Sequence, residues 1–179
     1  MIFKVVFPTL SNDVSDLKRK TPKINILLVN TKVPKNTKLM VQKVTNRFKE
    51  NPSETKEIID EIDQLAKSSL ELLTGRDNIN LDSTSFKKWG QIIDRNHYLL
   101  GNGLGVSHPK LETVCKLASK YGLHAKLTGA GGGGFAFIIL PSDLPTNIID
   151  GIKEELVNID CDVRETTLGA SGGVEINLL

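Results

Sequence analysis

The chain has 179 residues, of which 39% are hydrophobic and 25% are charged, with 15 glycines and 7 prolines. These proportions are typical of a globular domain and exclude a disordered or collagen-like chain. Lys and Arg exceed Asp and Glu by only 23 to 21, so charge gives no reason to expect nucleic acid or a membrane surface as a partner. The longest apolar runs, 26–29 and 135–140, are far shorter than the about 20 residues that span a bilayer.

Apolar spacing and turn residues predict strands and helices in alternating groups along the chain. The predicted strands are 1–7, 24–30, 124–127, 135–140, 161–166 and 173–178. The predicted helices are 36–48, 53–75, 85 to about 101–105, 109–122 and 145–156, with Asn36 as an N-cap and Pro109 as a first helical residue. This order favours a single α+β domain, 1–179, in which a mixed or antiparallel sheet is backed by helices on one face.

The chain has two cysteines, Cys115 and Cys161, and neither belongs to a Cys-x-x-Cys pair. One disulfide is compatible with this number, but two reduced core thiols are favoured, which indicates a cytoplasmic location. The spacing of His97, His108 and His124 does not suit a metal site, so we expect no metal ligands in this chain. We expect His97 to be a helix-surface or partly buried residue rather than a base.

The least ordinary segment is the run 129–134, in which five of six residues are glycine. Ordering so much glycine costs backbone entropy, so the run predicts conformations closed to other residues or a ligand close to bare amides. Successive unobstructed N–H groups form a nest that suits phosphate, and a flexible hairpin connection is the simpler alternative. The run satisfies Gly-x-Gly-x-x-Gly, but a strand follows it instead of a helix, which excludes a dinucleotide-binding fingerprint. No Gly-Lys-Ser/Thr closes it as a Walker loop.

The segment 126–134, Lys-Leu-Thr-Gly-Ala-Gly-Gly-Gly-Gly, resembles the third conserved motif of the GHMP small-molecule kinases. Two further stretches are similar to the mevalonate kinase family within that group: Asn-Thr-Lys-Val-Pro-Lys-Asn-Thr at 30–37 and Leu-Gly-Val-Ser-His-Pro at 104–109. The resemblance covers about residues 20–178. It implies the ferredoxin-like C-terminal domain of a two-domain enzyme that transfers the γ-phosphoryl group of ATP to mevalonate in isoprenoid and sterol synthesis.

The resemblance also implies which parts of the enzyme this chain does not carry. The family's active-site Lys, its Gly-Leu-Gly-Ser-Ser-Ala-like triphosphate loop and its catalytic Asp belong to an N-terminal domain, and none of these motifs occurs in the sequence. ATP and Mg²⁺ are therefore the implied cofactors, with the Mg²⁺ ligands and catalytic residues expected on the absent half. The implied partners are mevalonate, ATP and the missing N-terminal kinase domain, with a homodimer left open, and the isolated chain is expected to be inactive.

Residue by residue, the resemblance assigns two sets of contacts. The nucleotide phosphates would face Thr128, Gly129, Ala130, Gly131, Gly132, Gly133 and Gly134. The acceptor would be contacted by Lys35 and Thr37. Lys35 replaces the commoner Arg and so cannot form a bidentate fork to a carboxylate, and Phe135 stands where many relatives carry Cys. Structural roles stay open: Thr37 as a first-turn helix residue, Lys35 as a solvated charge and Thr128 as the end of a strand.

Two other functions fit the same residues. A stand-alone metabolite- or anion-binding regulatory domain of ferredoxin-like fold would use the glycine run without turnover. Another GHMP kinase, such as a phosphomevalonate or homoserine kinase, would share the glycine run, although the segment 30–37 argues against it. An upstream region with a Gly-Ser-Ser-Ala loop would distinguish a kinase from a binding module.

Overall fold

The computed structural model describes residues 23–74 and 83–168, so the predicted strands 1–7 and 173–178 lie outside the described residues. The described strands are β1 Ile24–Asn30, β2 His124–Thr128, β3 Phe135–Leu140 and β4 Asp162–Leu168. The described helices are α1 Thr37–Glu50, α2 Pro52–Thr74, α3 Ser83–Tyr98, α4 Pro109–Lys120 and α5 Thr146–Asn158. A π-helical turn, Leu99–Gly103, continues α3.

The four strands form one sheet in the order β2-β3-β1-β4, and each neighbouring pair is antiparallel. The predicted strand 24–30 becomes β1, which has a neighbour on both sides because its β-branched and leucine-rich run is apolar on both faces. The register places Leu28 opposite Phe137 on one side and Arg164 on the other. The predicted α+β class is confirmed, and the described sheet is antiparallel rather than mixed.

The hydrophobic core joins the middle of the sheet to α4 and α5. Leu27 and Ile138 lie opposite each other in the register, and both are completely buried. Leu111 of α4 and Leu156 of α5 are also completely buried and belong to the same cluster. Full burial of one such side chain stabilises the fold by about 1.5–3 kcal/mol, so these contacts hold β2 and β3 firmly on either side of the glycine run.

The capping residues mark two helix starts correctly. The side chain of Asn36 accepts a hydrogen bond from the amide of Leu39 at 3.0 Å, which confirms it as the N-cap of α1. Pro109 is the first residue of α4, and the Nδ1 atom of His108 caps that helix by accepting from the amide of Lys110 at 3.2 Å. Each of the two segments 30–37 and 104–109 therefore ends at the first residue of a helix.

Several boundaries differ slightly from the sequence predictions. Helix α2 begins at Pro52, one residue before the predicted start at Ser53, because proline is preorganised for the first helical position. Helix α5 and strand β4 differ by one or two residues at their ends. Helix α3 does not simply stop at the glycines that follow it: the amide of Leu104 donates to the carbonyl of Leu99 at 2.8 Å and closes the π-helical turn.

The two cysteines are free thiols, with Cys161 buried and Cys115 half-buried. The prediction of two reduced thiols is therefore confirmed. None of the described helices is both long enough and apolar enough to cross a membrane.

Candidate functional site

Three loops that are far apart in the sequence meet at one end of the sheet. They are the β1–α1 loop (31–36), the 104–108 loop and the glycine loop (129–134). Because β1 and β3 are antiparallel neighbours, the last residue of β1 lies opposite the first residue of β3. The β1–α1 loop and the glycine loop therefore meet at the same end of the sheet. Each loop belongs to one of the three segments that carry the family resemblance.

Main-chain hydrogen bonds join the three loops. The amide of Gly132 donates to the carbonyl of Val106 at 2.8 Å, and the amide of Gly134 donates to the carbonyl of Val33 at 3.0 Å. The carbonyl of Gly134 accepts from both the amide and the hydroxyl of Thr31, at 2.9 and 2.7 Å, and Thr31 is fully buried. The glycine loop is thus tied to both of its neighbours, which disfavours the simple hairpin connection.

The glycines of this loop are required partly by the protein itself. All five have positive φ, a region that other L-residues rarely adopt. At Gly131, a Cβ atom would lie 2.0 Å from the carbonyl oxygen of Val106. At Gly133, a Cβ atom would lie 2.6 Å from Cγ1 and 2.8 Å from the carbonyl oxygen of Val33. Close approach of the loops therefore accounts for these two glycines without any ligand.

The amides of the glycine loop fall into two groups. Those of Gly132 and Gly134 donate to protein carbonyls and so do not face a ligand as donors. The amides of Gly129, Ala130, Gly131 and Gly133 form no hydrogen bond with any described residue, but Gly131 and Gly133 are buried, whereas Gly129 is exposed and Ala130 half-buried. The nest that remains for an anion is therefore smaller than the number of glycines suggested.

The two strand residues that flank the glycine loop, Thr128 and Phe135, are also exposed. Thr128 is the last residue of β2, is exposed, and lies opposite Phe135 of β3. Phe135 is 37% exposed, which is unusual for a phenylalanine in a strand whose other apolar residues are mostly buried. The outer face of the sheet is thus open next to the glycine loop.

Lys35 and Thr37 lie on the β1–α1 side of this junction. Both are exposed, and the aliphatic part of Lys35 passes so close to Gly134 that a Cβ atom there would lie 3.3 Å from its Cδ atom. Thr37 is the first residue of α1, and one turn later the side chain of Met40 packs over Gly132, 2.9 Å from where a Cβ atom would lie. The structure thus places Lys35 against the glycine loop and Thr37 at the start of the helix that packs on it.

A buried polar cluster that the sequence did not indicate supports the same loops. The Nδ1 atom of His97, which is 7% exposed, accepts from the amide of Leu127 at 3.2 Å, two residues before the glycine loop. Its Nε2 atom lies 3.0 Å from Oε1 of Glu112 but without hydrogen-bond geometry, and the same oxygen accepts from the hydroxyl of Ser107. Burial lowers the pKa of His97 despite the nearby Glu112, so the ring is held neutral, with Nδ1 as an acceptor.

The cluster also covers the side of β2 that pairs with no other described strand. His97 binds the outward amide of Leu127, and the thiol of Cys115 donates to the carbonyl of Ala125 at 3.5 Å. Burial raises the pKa of Cys115 to about 12, which makes it a packing residue rather than a nucleophile. Two side chains from α3 and α4 therefore satisfy the edge of β2. His97 is more deeply buried than the helix-surface or partly buried position that the sequence predicted, because its ring pairs with the amide of Leu127.

The described residues do not supply a magnesium site. No group of three or more His, Cys, Asp or Glu side chains within residues 23–74 and 83–168 could hold a metal ion. The carboxylate on the open sheet face beside the glycine loop, Asp162, is paired with Lys32 at 3.0 Å. Its ion pair with Lys32 therefore occupies the carboxylate that a Mg²⁺ ion at this position would need.

Residues 78–158 match the family model described as "GHMP kinases C terminal". The chain is 35% identical over 159 residues to the mevalonate kinase of Bos taurus, a match that covers 89% of this chain. It spans only 39% of that relative's length.

The fold is also similar to those of solved mevalonate kinases. A crystal structure of L. major mevalonate kinase in complex with R-mevalonate shares the fold with a TM-score of 0.72 and 24% identity, over 86% of this chain and 45% of that one. The mevalonate kinase of Methanococcus jannaschii aligns with a TM-score of 0.60 and 27% identity, over 83% of this chain and 39% of that one. With the glycine loop and its two partner loops in place, residues 78–158 match the GHMP kinase C-terminal family in sequence, and the described part of the chain is similar in fold to mevalonate kinases.

Proposed function

We propose that this chain is the C-terminal domain of a mevalonate kinase, an enzyme that transfers the γ-phosphoryl group of ATP to the hydroxyl group of mevalonate. The observation that carries the proposal is the junction at which the β1–α1, 104–108 and glycine loops meet. The glycine loop by itself would support any GHMP kinase. The segment 30–37 beside it favours the mevalonate kinase branch over phosphomevalonate or homoserine kinases, and the mevalonate kinases among the relatives support that choice.

The glycine loop is proposed to face the nucleotide phosphates from one side of the cleft. The amides of Gly129 and Ala130, which are exposed and half-buried, are the accessible donors for this, with the hydroxyl group of Thr128 at the end of β2 beside them. Gly132 and Gly134 act indirectly, because their hydrogen bonds to Val106 and Val33 fix the shape of the loop. Donors fixed in this way require little reorganisation when charge develops on the transferring phosphoryl group.

Lys35 and Thr37 are proposed to contact the acceptor. Lys35 is exposed, and the structure gives its ammonium no ion pair among the described residues, so it can pair with the carboxylate of mevalonate. The hydroxyl of Thr37 can bind the same molecule from the first turn of α1. Both side chains stand on the β1–α1 loop side of the junction, which brings acceptor and phosphate into one cleft and supplies the positioning on which phosphoryl transfer depends.

The groups that complete the active site are proposed to lie in the part of the relatives that this chain does not span. The base that receives the hydroxyl proton, the triphosphate loop and the Mg²⁺ ligands would come from that N-terminal region. Mg²⁺ would supply charge neutralisation on the phosphates when bound there. A cytoplasmic enzyme is proposed because both cysteines are free thiols, and the N-terminal kinase domain is its proposed partner.

A coupled assay of ADP release tests the proposal. The intact enzyme that contains this domain should release ADP in a mevalonate-dependent reaction at about 1–100 s⁻¹, whereas residues 1–179 alone should not. Homoserine and phosphomevalonate are the control acceptors. Turnover with either of these in place of mevalonate would assign the domain to another GHMP kinase, and ATP binding without any acceptor-dependent turnover would favour a regulatory module.

A further inference from the structure

One half-buried lysine in the described part of the chain lacks an oxygen partner. Three of the described lysines are half-buried. Lys110 donates to the carbonyl of Asp160 at 2.9 Å, and Lys153 donates to the carboxylate of Glu165 at 2.7 Å. For Lys126, neither a hydrogen bond nor an ion pair is formed with any described residue. Its ammonium is therefore the exception among lysines of similar burial.

Lys126 is half-buried on the face of the sheet that bears Thr128, between the glycine loop and His124, which packs against Asp94 of α3. It lies opposite Phe137 in the register, and its Nζ atom is 5.6 Å from the centroid of that ring. Thr128 lies two residues further along β2 and opposite the exposed Phe135, so it shares a face with Lys126. Two residues of strand span about 7 Å, which is within reach of a lysine side chain and of a phosphate chain bound at the loop.

The surrounding charges leave this ammonium unneutralised. Arg164 lies in the same cross-strand row as Lys126, and among the described residues it forms no ion pair either. The carboxylate in the next row, Asp162, is already paired with Lys32 at 3.0 Å. Asp94 of α3, which lies next to His124 on the same face, is likewise held by that histidine at 2.7 Å, so neither of these described carboxylates is free to neutralise Lys126.

A lysine in this position is costly to the fold unless an anion binds it. Burial lowers the pKa of Lys126, which shows that the charged form is disfavoured where it stands. The ring of Phe137 compensates only partly, because a cation–π contact is weaker than a charged hydrogen bond. An anionic oxygen arriving from the open side would restore the lost solvation of the ammonium.

We propose that the ammonium of Lys126 binds an oxygen of the nucleotide phosphate chain next to the glycine loop. This inference rests on the proposed function, and it adds a formal positive charge to a loop whose other donors are neutral amides. Phe137 lies beside the ammonium, and Phe135 continues the same face towards the glycine loop. The phosphate chain is preferred over the acceptor carboxylate because Lys126 and Thr128 share one strand and one face.

Amine labelling tests the contact in the intact enzyme that contains this domain. N-hydroxysuccinimide acetate is applied at about pH 8 with and without MgATP or inorganic tripolyphosphate, and acetylation of each lysine is followed by peptide mass spectrometry. We expect either ligand to slow the labelling of Lys126 by about fivefold or more, since an ion-paired amine stays protonated. Lys116, which is exposed on α4, is the control and should keep its rate. Protection by mevalonate alone, or an unchanged rate at Lys126, would overturn the assignment.

Kinetics of the intact enzyme separate this inference from the proposed function. Lys126→Met should raise the KM for ATP by about tenfold or more, with the KM for mevalonate unchanged, and Lys126→Arg should recover most of the loss because it restores the charge. Normal ATP kinetics in Lys126→Met would refute the role of Lys126 while leaving the kinase assignment intact. An intact enzyme without mevalonate-dependent ADP release would refute the assignment, and the labelling result would still decide whether Lys126 binds phosphate.

Discussion

The tightest contact of the glycine loop gives the sharpest prediction. Gly131 has a φ of +79°, and a Cβ atom placed on it would lie 2.0 Å from the carbonyl oxygen of Val106. The same carbonyl accepts the hydrogen bond from Gly132 at 2.8 Å. Gly131→Ala must therefore push the glycine loop away from the 104–108 loop, and the first interaction lost is the hydrogen bond between them.

The size of the effect follows from these two features. An alanine held at positive φ costs about 1–2 kcal/mol. Loss of the hydrogen bond between Gly132 and Val106 adds about 0.5–1.5 kcal/mol, and more if the carbonyl is left buried without a partner. We therefore expect Gly131→Ala to lower the free energy of unfolding by about 1.5–3.5 kcal/mol. Such a loss is a large fraction of the stability of a domain of this size.

Urea unfolding of the 179-residue chain measures this loss, with the fluorescence of Trp89, the single tryptophan, as the signal. Gly122→Ala is the matched control, because Gly122 also has positive φ, at +71°, but nothing lies within 4 Å of its Cβ position. It should lose only the conformational part, about 1–2 kcal/mol. Equal losses in the two variants would show that the contact with Val106 does not restrict the loop.

Three further predictions follow from the site and its support. In the intact enzyme, Thr37→Ala should raise the KM for mevalonate or lower kcat by about ten- to a hundredfold at constant KM for ATP. An increase confined to the KM for ATP would show that Thr37 contacts the nucleotide and not the acceptor. Because burial lowers the pKa of His97, the unfolded chain binds its proton more readily, so stability due to His97 is lost as the pH falls below its ordinary pKa of 6.5. His97→Asn, which keeps an acceptor for Leu127, should flatten the decline in urea midpoint between about pH 7 and 5, and an unchanged slope would exclude His97 as its source. The thiol of Cys115, with its pKa raised to about 12, should react with iodoacetamide at about pH 8 at least about a hundredfold more slowly in the folded chain than in urea, and similar rates would contradict its burial.

Local sequence signals were sufficient where a segment determines its own structure. The run 24–30 is continuous, β-branched and bounded by turn residues, and it forms β1 over those residues. The run 135–140 does the same as β3. Asn36 and Pro109 mark helix starts because capping acts within one turn. The three segments of the candidate site were also recognisable, because each is contiguous in the sequence.

The contacts between those segments could not be predicted from local patterns. The hydrogen bond from Thr31 to Gly134 joins residues 103 positions apart, and the one from Leu127 to His97 joins residues 30 apart. Apolar periodicity reports which side of an element is buried, but not which carbonyl an amide will meet. For this reason the sequence suggested that all the loop amides were available to phosphate, whereas two of them bind Val33 and Val106.

This division gives the glycines of the loop two separate functions. Gly131 and Gly133 are required because other loops pack where a side chain would be. Gly129 is different: it is exposed, has a φ of +82°, and has nothing within 4 Å of its Cβ position. Packing therefore does not require a glycine there, and only the backbone conformation and access to the amide remain as reasons. A phosphate requirement of the loop is consequently best tested at Gly129, where a substitution leaves the protein's own contacts in place, whereas substitutions at Gly131 or Gly133 would mix ligand binding with stability.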